Sequence, residues 1–240
     1  MTAGPDSAFG ATLHSAFLNE RLERWFGVYP AVVTDVKDPQ GQGQVEVSLP
    51  WSPDPGGSAY RTWARLATLM AGAGRGSWFV PEPGDEVLVA FEAGDPRRPC
   101  VLGALWNGVD KPPETMDGAG RNNLRVIRSR SGHQIRFDDT SGAETLTVRT
   151  PAGRRITLTD FPGSVEVVDT NGTSVRLDAA GITLTSQGKV TVNAAAAEVS
   201  AATLTVNAGM SAFHGVVKAD TVIANTVVGT TYTPGAGNIW

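Results

Sequence analysis

Cysteine occurs once, at Cys100, so the chain can form neither an intrachain disulfide nor a cysteine-rich zinc site. A small buried hydrophobe in a strand is the expected use of that thiol. Charge is also scarce: 18% of residues are ionic, the net charge is −4 and no basic face emerges, which disfavours specific nucleic-acid binding. No apolar run approaches the roughly 18–20 residues of a membrane-spanning helix. The opening "MTAGPDSAFGATLHSAF" lacks a basic stretch followed by an apolar one, so no signal peptide is expected. Histidine is limited to His14, His133 and His214, isolated from one another and from any acidic cluster of ligand spacing. No metal and no cofactor is therefore expected, with three His214 copies meeting on a symmetry axis as the one arrangement left open.

Glycine (28) and proline (15) are plentiful, and Val and Thr alternate along much of the chain, a mix that predicts short strands and many turns. The expected fold class is all-β, with one helical segment at the start. That segment lies within residues 1–26, where "AFGATLHSAFLNERLERWF" places Leu13, Phe17, Leu18, Leu22 and Trp25 on one apolar stripe. A single helix has nothing of its own to pack on. The stripe must meet the following domain, another copy of the chain, or a partner.

Residues 27–108 read as a small barrel. "YPAVVTDV" and "GQVEVSLPW" are strands joined by "KDPQGQG", whose Asp, Pro and Gly suit a turn. With "RTWARLATLM" and "GDEVLVAFEAGDPRRPCVLGALWNG" they supply about five strands, as an OB-type barrel requires. The glycine-rich "GAGRGSW" lacks the Gly-Lys-Ser/Thr of a phosphate loop. Residues 109–122 form a Pro/Gly-rich linker.

From residue 123 to 240 short alternating segments follow one another: "LRVIRS", "HQIRFD", "TLTVRT", "RITLTD" and on to "TVIANT". Their centres lie about ten residues apart at first and about seven or eight apart after Gly181. Such segments are too short and frequent for ordinary hairpins in one sheet, and a seven-residue unit cannot enclose a core alone. Three chains wound together can, each supplying one side of a prism, with Ile182, Leu184, Val190 and Val192 pointing inward and Thr and Ser outward. Only Lys189, Glu198, Lys218 and Asp220 carry charge in the last 55 residues, a composition suited to a self-wrapped fibre. An Ala-rich helix over Ala194–Ala197 is the weaker alternative, because that run covers about one helical turn.

"SGHQIRFDDTSGAE" offers His, Asp and Ser in a short span, but no Gly-x-Ser-x-Gly elbow and no scaffold for an oxyanion hole. His133 begins a strand and Asp138 and Asp139 end it, where turn-forming Asp belongs. No enzyme is expected.

"YPAVVTDVKDPQGQGQVEVSLPW", "PEPGDEVLVAFEAGDPRRP" and "RSRSGHQIRFDDTSGAE", in that order, resemble the spike proteins of contractile injection systems: phage baseplate assembly protein V and the spike part of VgrG proteins. The resemblance covers about residues 27–160. It implies a homotrimer with an OB-type domain at its base and a triple-stranded β-helix as needle, which sheath contraction drives through a target envelope. It further implies a place in the baseplate of a phage tail or phage-like particle, among other baseplate components, with transient contact to the target membrane. The hub is expected to be a separate trimeric protein met by Leu13, Phe17, Leu18, Leu22 and Trp25. The tip is expected either to carry a PAAR-type protein or to be closed by Asn238, Ile239 and Trp240. The competing reading is an OB-fold module that binds oligosaccharide or oligonucleotide, with Trp51, Trp63, Trp78 and Trp106 as stacking groups.

Overall fold

A computed structural model describes residues 24–53 and 57–231. The helix expected over residues 8–26 lies outside the described residues except for its last three, and Arg24, Trp25 and Phe26 carry no helix.

The barrel is built from β1 (Val28–Asp35), β2 (Val45–Pro53), β3 (Ala59–Leu66), β6 (Glu86–Phe91) and β7 (Pro99–Leu105). A two-residue pair, β4 (Ala71–Gly72) and β5 (Arg75–Gly76), interrupts it. The strands close in the order β1-β2-β3-β7-β6, with β3 and β7 parallel and all other pairs antiparallel. Period-two alternation turns one side of each strand inward. Val45, Val47 and Leu49 from β2 meet Val87 and Val89 from β6, and Ala31, Val33 and Ala64 complete a dry core. The turn before β2 is folded by one carboxylate. Asp38 accepts the backbone N–H groups of Gln40 and Gln44 at 2.9 and 3.1 Å, and these bonds, Gln44 foremost, hold its carboxyl below the usual range.

One end of the barrel is closed by aromatic rings. Trp25 lies edge-on to Phe91 (4.9 Å between centroids), Trp51 (5.1 Å) and Tyr60 (5.7 Å), and its backbone N–H reaches Gly94 O at 2.8 Å. Trp51 stacks on Tyr29 at 4.6 Å and donates its indole N–H to Pro30 O at 2.8 Å.

Beyond the linker, β8 (Leu124–Arg128), β9 (Gln134–Asp138), β10 (Thr145–Arg149), β11 (Arg155–Thr159), β12 (Ser164–Val168), β13 (Ser174–Asp178) and β14 (Gly181–Thr185) form one seven-stranded antiparallel meander in chain order. The expectation that such segments cannot make hairpins within one sheet is overturned for residues 124–185. Turns of two to six residues suffice to reverse five-residue strands. The turns after β8 and β10 close alike, Ser129 N–H to His133 O and Thr150 N–H to Arg154 O, each at 2.9 Å. Each has a left-handed glycine, Gly132 (φ +90°) and Gly153 (φ +91°), where a side chain would be strained. The linker packs on this sheet, with the buried Gln134 donating its Nε2 to Glu114 Oε1 at 3.4 Å.

Residues 189–231 belong to a second unit. They are extended and exposed throughout, with no ladder partner within the chain among the described residues, and bend at 195, 202, 209, 215, 220, 225 and 230. Ala194–Ala197 are not helical.

Leu49 is fully buried, so Leu49→Ala is expected to destabilise the barrel by about 2–5 kcal/mol. Tryptophan fluorescence during urea unfolding checks this in the W240F background, where every remaining tryptophan lies between residues 25 and 106. An unchanged first transition would contradict the core assignment.

Candidate interchain face

The meander register sorts the strand residues into rows. Phe137, Leu146, Leu158, Val165, Leu177 and Ile182 stand in one row behind Arg125. Ile127, Ile135, Val148, Ile156, Val167, Val175 and Leu184 stand in the next row on the same face. Between them, on the opposite face, run Val126, Arg136, Thr147, Thr157, Glu166, Arg176 and Thr183. One face of the sheet is therefore apolar over seven strands and the other polar.

The apolar face has no cover. From β9 to β13 the exposed members of its rows keep 37–43% of their surface, while Ile182 and Leu184 on the terminal strand β14 keep 75% and 56%. A concavity of about 590 Å³ runs along the row of Ile127, Ile135, Val148, Ile156, Val167 and Val175. Covering the remaining surface stabilises by about 1 kcal/mol per side chain. Summed over both rows, that rivals the roughly 5–15 kcal/mol by which whole domains are stable. A soluble monomer seldom leaves such a face open.

The polar face is laced by ion pairs: Arg136–Asp138 at 3.3 Å, Arg155–Glu166 at 3.3 Å and Arg176–Asp178 at 2.7 Å. Asp138 also caps its turn, accepting the Thr140 hydroxyl at 2.6 Å and the Thr140 backbone N–H at 3.1 Å. Chiefly that hydroxyl, helped by the N–H and by Arg136, holds the Asp138 carboxyl below its usual range. His133 gives its backbone N–H to Ser129 Oγ at 3.1 Å, and its imidazole meets no acid or hydroxyl among the described residues. The stretch that looked most like a catalytic constellation is strand, turn and strand. Among the described residues no three His, Cys, Asp or Glu side chains gather to hold a metal ion.

The sequence-derived contact residues fare differently. Trp25 is half-buried in the aromatic end of its own barrel. Leu13, Phe17, Leu18, Leu22, Asn238, Ile239 and Trp240 lie outside the described residues. Trp51 is 40% exposed on its Tyr29 stack, Trp63 is half-buried, and Trp78 and Trp106 are largely exposed. Most of the arginines near them are paired. Arg65 and Arg98 both pair with Glu92, Arg97 pairs with Asp95 at 3.0 Å, and Arg61 lies 4.0 Å from Glu46.

The comparisons with known proteins fall on the same two regions. Residues 29–106 match the type VI secretion system/phage-baseplate injector OB domain, and residues 145–210 match the phage baseplate V C-terminal trimerisation domain. Two type VI secretion system spike proteins of Pseudomonas aeruginosa are similar. VgrG1a is 32% identical over 113 residues, 44% of this chain and 18% of its own length, and VgrG4b is 31% identical over 161 residues, 60% and 20% respectively. The spike protein VgrG3 of Vibrio cholerae is 26% identical over 126 residues, 48% of this chain and 12% of its own. The chain thus spans at most a fifth of the length of these relatives. An OB-type barrel, a sheet with one uncovered apolar face and the two matching domain models agree: the chain carries the injector OB domain and the trimerisation domain of phage-baseplate and type VI secretion spike proteins.

Proposed function

We propose that the chain is the non-enzymatic spike of a contractile injection particle, a homotrimer whose barrels dock on the hub at the end of the tail tube and whose shaft pierces the target envelope. The observation that carries this reading is the uncovered apolar face of β8–β14, followed by an extended segment that has no ladder partner in its own chain. A three-chain prism answers both. Three sheets turn their apolar faces to a common axis, and residues 189–231 of each chain take their backbone partners from the other two. Chains wound in this way separate only by unfolding, so the rod resists shear and carries axial load. Piercing then needs no chemical step.

The contacts at the two ends belong to the same proposal. Hub docking is assigned to the segment leading into β1, through Leu13, Phe17, Leu18, Leu22 and Trp25. The exposed Phe26 (65%) and Val28 (54%) extend an apolar surface there beside the Trp25 ring cluster. Asn238, Ile239 and Trp240 are assigned to the tip, where they close the axis or seat a PAAR-type protein. A second reading, the barrel as an oligosaccharide- or oligonucleotide-binding module, draws on the exposed Trp51–Tyr29 stack. Quenching of tryptophan fluorescence by either ligand at micromolar concentration would favour it.

Immunogold labelling of assembled particles tests the placement: label at the sheath-distal end of the tube supports the spike, and label along the sheath contradicts it. A charge on the apolar face is expected to prevent assembly. Val148→Asp with Ile156→Asp should leave the barrel fluorescence intact and yield monomer on a sizing column, a loss of several kcal/mol per site. A chain ending at residue 188 should still self-associate through the meander but lose its resistance to warm detergent. Equal resistance in the truncated and full chains would contradict the interwound role of residues 189–231.

A further inference from the structure

The meander is electrically lopsided along its strands. The strand ends and turns on one lateral edge carry Arg128, Arg130, Arg149, Arg154 and Arg155 against a single carboxylate, Asp169. The opposite edge carries Asp138, Asp139, Glu144, Asp160 and Asp178 at its strand ends and turns, of which Asp138, Asp139 and Asp178 are met by Arg136, Arg125 and Arg176. The two central strands show the polarity most clearly. β10 runs from Glu144, just before its first residue, to Arg149 at its last, and β11 runs from Arg155 to Asp160, just after its end.

Antiparallel pairing then sets like beside like. Arg149 stands directly across from Arg155, and Asp160 donates its backbone N–H to Glu144 O at 3.1 Å, bringing those two carboxylate-bearing residues side by side. Like charges facing across a strand pair are destabilising. Several edge charges are answered within the chain, such as Arg154 by Asp169 at 2.8 Å and Arg130 by Glu82 at 2.8 Å. Arg128 and Arg149 on one edge, and Glu144 and Asp160 on the other, have no oppositely charged partner within ion-pair distance among the described residues. Among the described residues nothing in the same chain pairs with these four charges.

A ring of three copies does. In a cyclic trimer every contact is head-to-tail, so one lateral edge of each sheet meets the other lateral edge of its neighbour. With the apolar faces turned to the axis, basic edge meets acidic edge at all three corners. The axial levels agree: the arginines lie on β8 to β11 and the carboxylates from β9 to the turn after β11, an offset of about one strand spacing, ~4.8 Å. We propose that three identical electrostatic seams, Arg128 and Arg149 of one copy facing Glu144 and Asp160 of the next, join the copies and set their axial register. The proposal rests on the trimeric reading and adds to it which edges meet.

The test uses the full chain in three variants: R128E/R149E, E144K/D160K and all four changes together. Dissociation of the trimer in warm detergent is followed below about 50 mM salt and again near 0.5 M, where surface charges are screened. Each two-site variant is expected to dissociate at least about tenfold faster than wild type at low salt, with the difference shrinking at high salt. The four-site variant, which restores opposite charges at every corner with the signs exchanged, is expected to return close to the wild-type rate. A trimeric wild type with unaffected two-site variants, or a four-site variant that loses the sum of both effects, would overturn the seam alone. A monomeric wild type would overturn the trimeric reading and the seam with it.

Discussion

The structure depends on an apolar surface that a single chain cannot remove from water. The barrel solves its own problem by closing on itself: β1 pairs with β6, Val47 and Val89 become inaccessible, and no edge is left. The meander has the same alternation and no such closure. Its apolar face meets no second layer among the described residues, so Phe137, Ile156 and Leu158 stay about 40% exposed. The match to a trimerisation domain accords with a surface of this kind.

Below Thr185 the same requirement passes from side chains to backbone. Down to β14 every strand is laddered to a strand of its own chain, so each sheet can form before its partners arrive. From Lys189 onward the extended chain has no internal ladder among the described residues, and Val190, Val192, Leu204 and Val206 lie open. In the proposed trimer the sheets form early and locally, and the segment from Lys189 finds its partners only on assembly. The bends also close up, from every seven residues to every five between 195 and 230.

Much of this was legible in the residues. "YPAVVTDV" and "GQVEVSLPW" announced two barrel strands and "KDPQGQG" the turn between them, and the Asp and Gly of "DDTSG" announced a turn rather than an active site. The alternation in "TLTVRT" and "RITLTD" announced short strands with one apolar side. What was missed needs three dimensions. Strand and turn lengths alone did not reveal that residues 124–185 pair within one chain, because turns as short as Ala179–Ala180 reverse the direction. Trp25, Tyr29, Trp51, Tyr60 and Phe91 are scattered in sequence, and only barrel closure gathers them. The polarity of the lateral edges is equally invisible until the register places Arg149 beside Arg155 and Glu144 beside Asp160.

The central claim, that the apolar face and the unladdered segment are completed by two further copies of the same chain, is tested most directly by absolute mass from light scattering of the purified full chain. The account predicts roughly 75 kDa, three chains of 25.1 kDa, unchanged on dilution through the micromolar range. A folded species of 25 kDa that stays soluble with its apolar face open would contradict it.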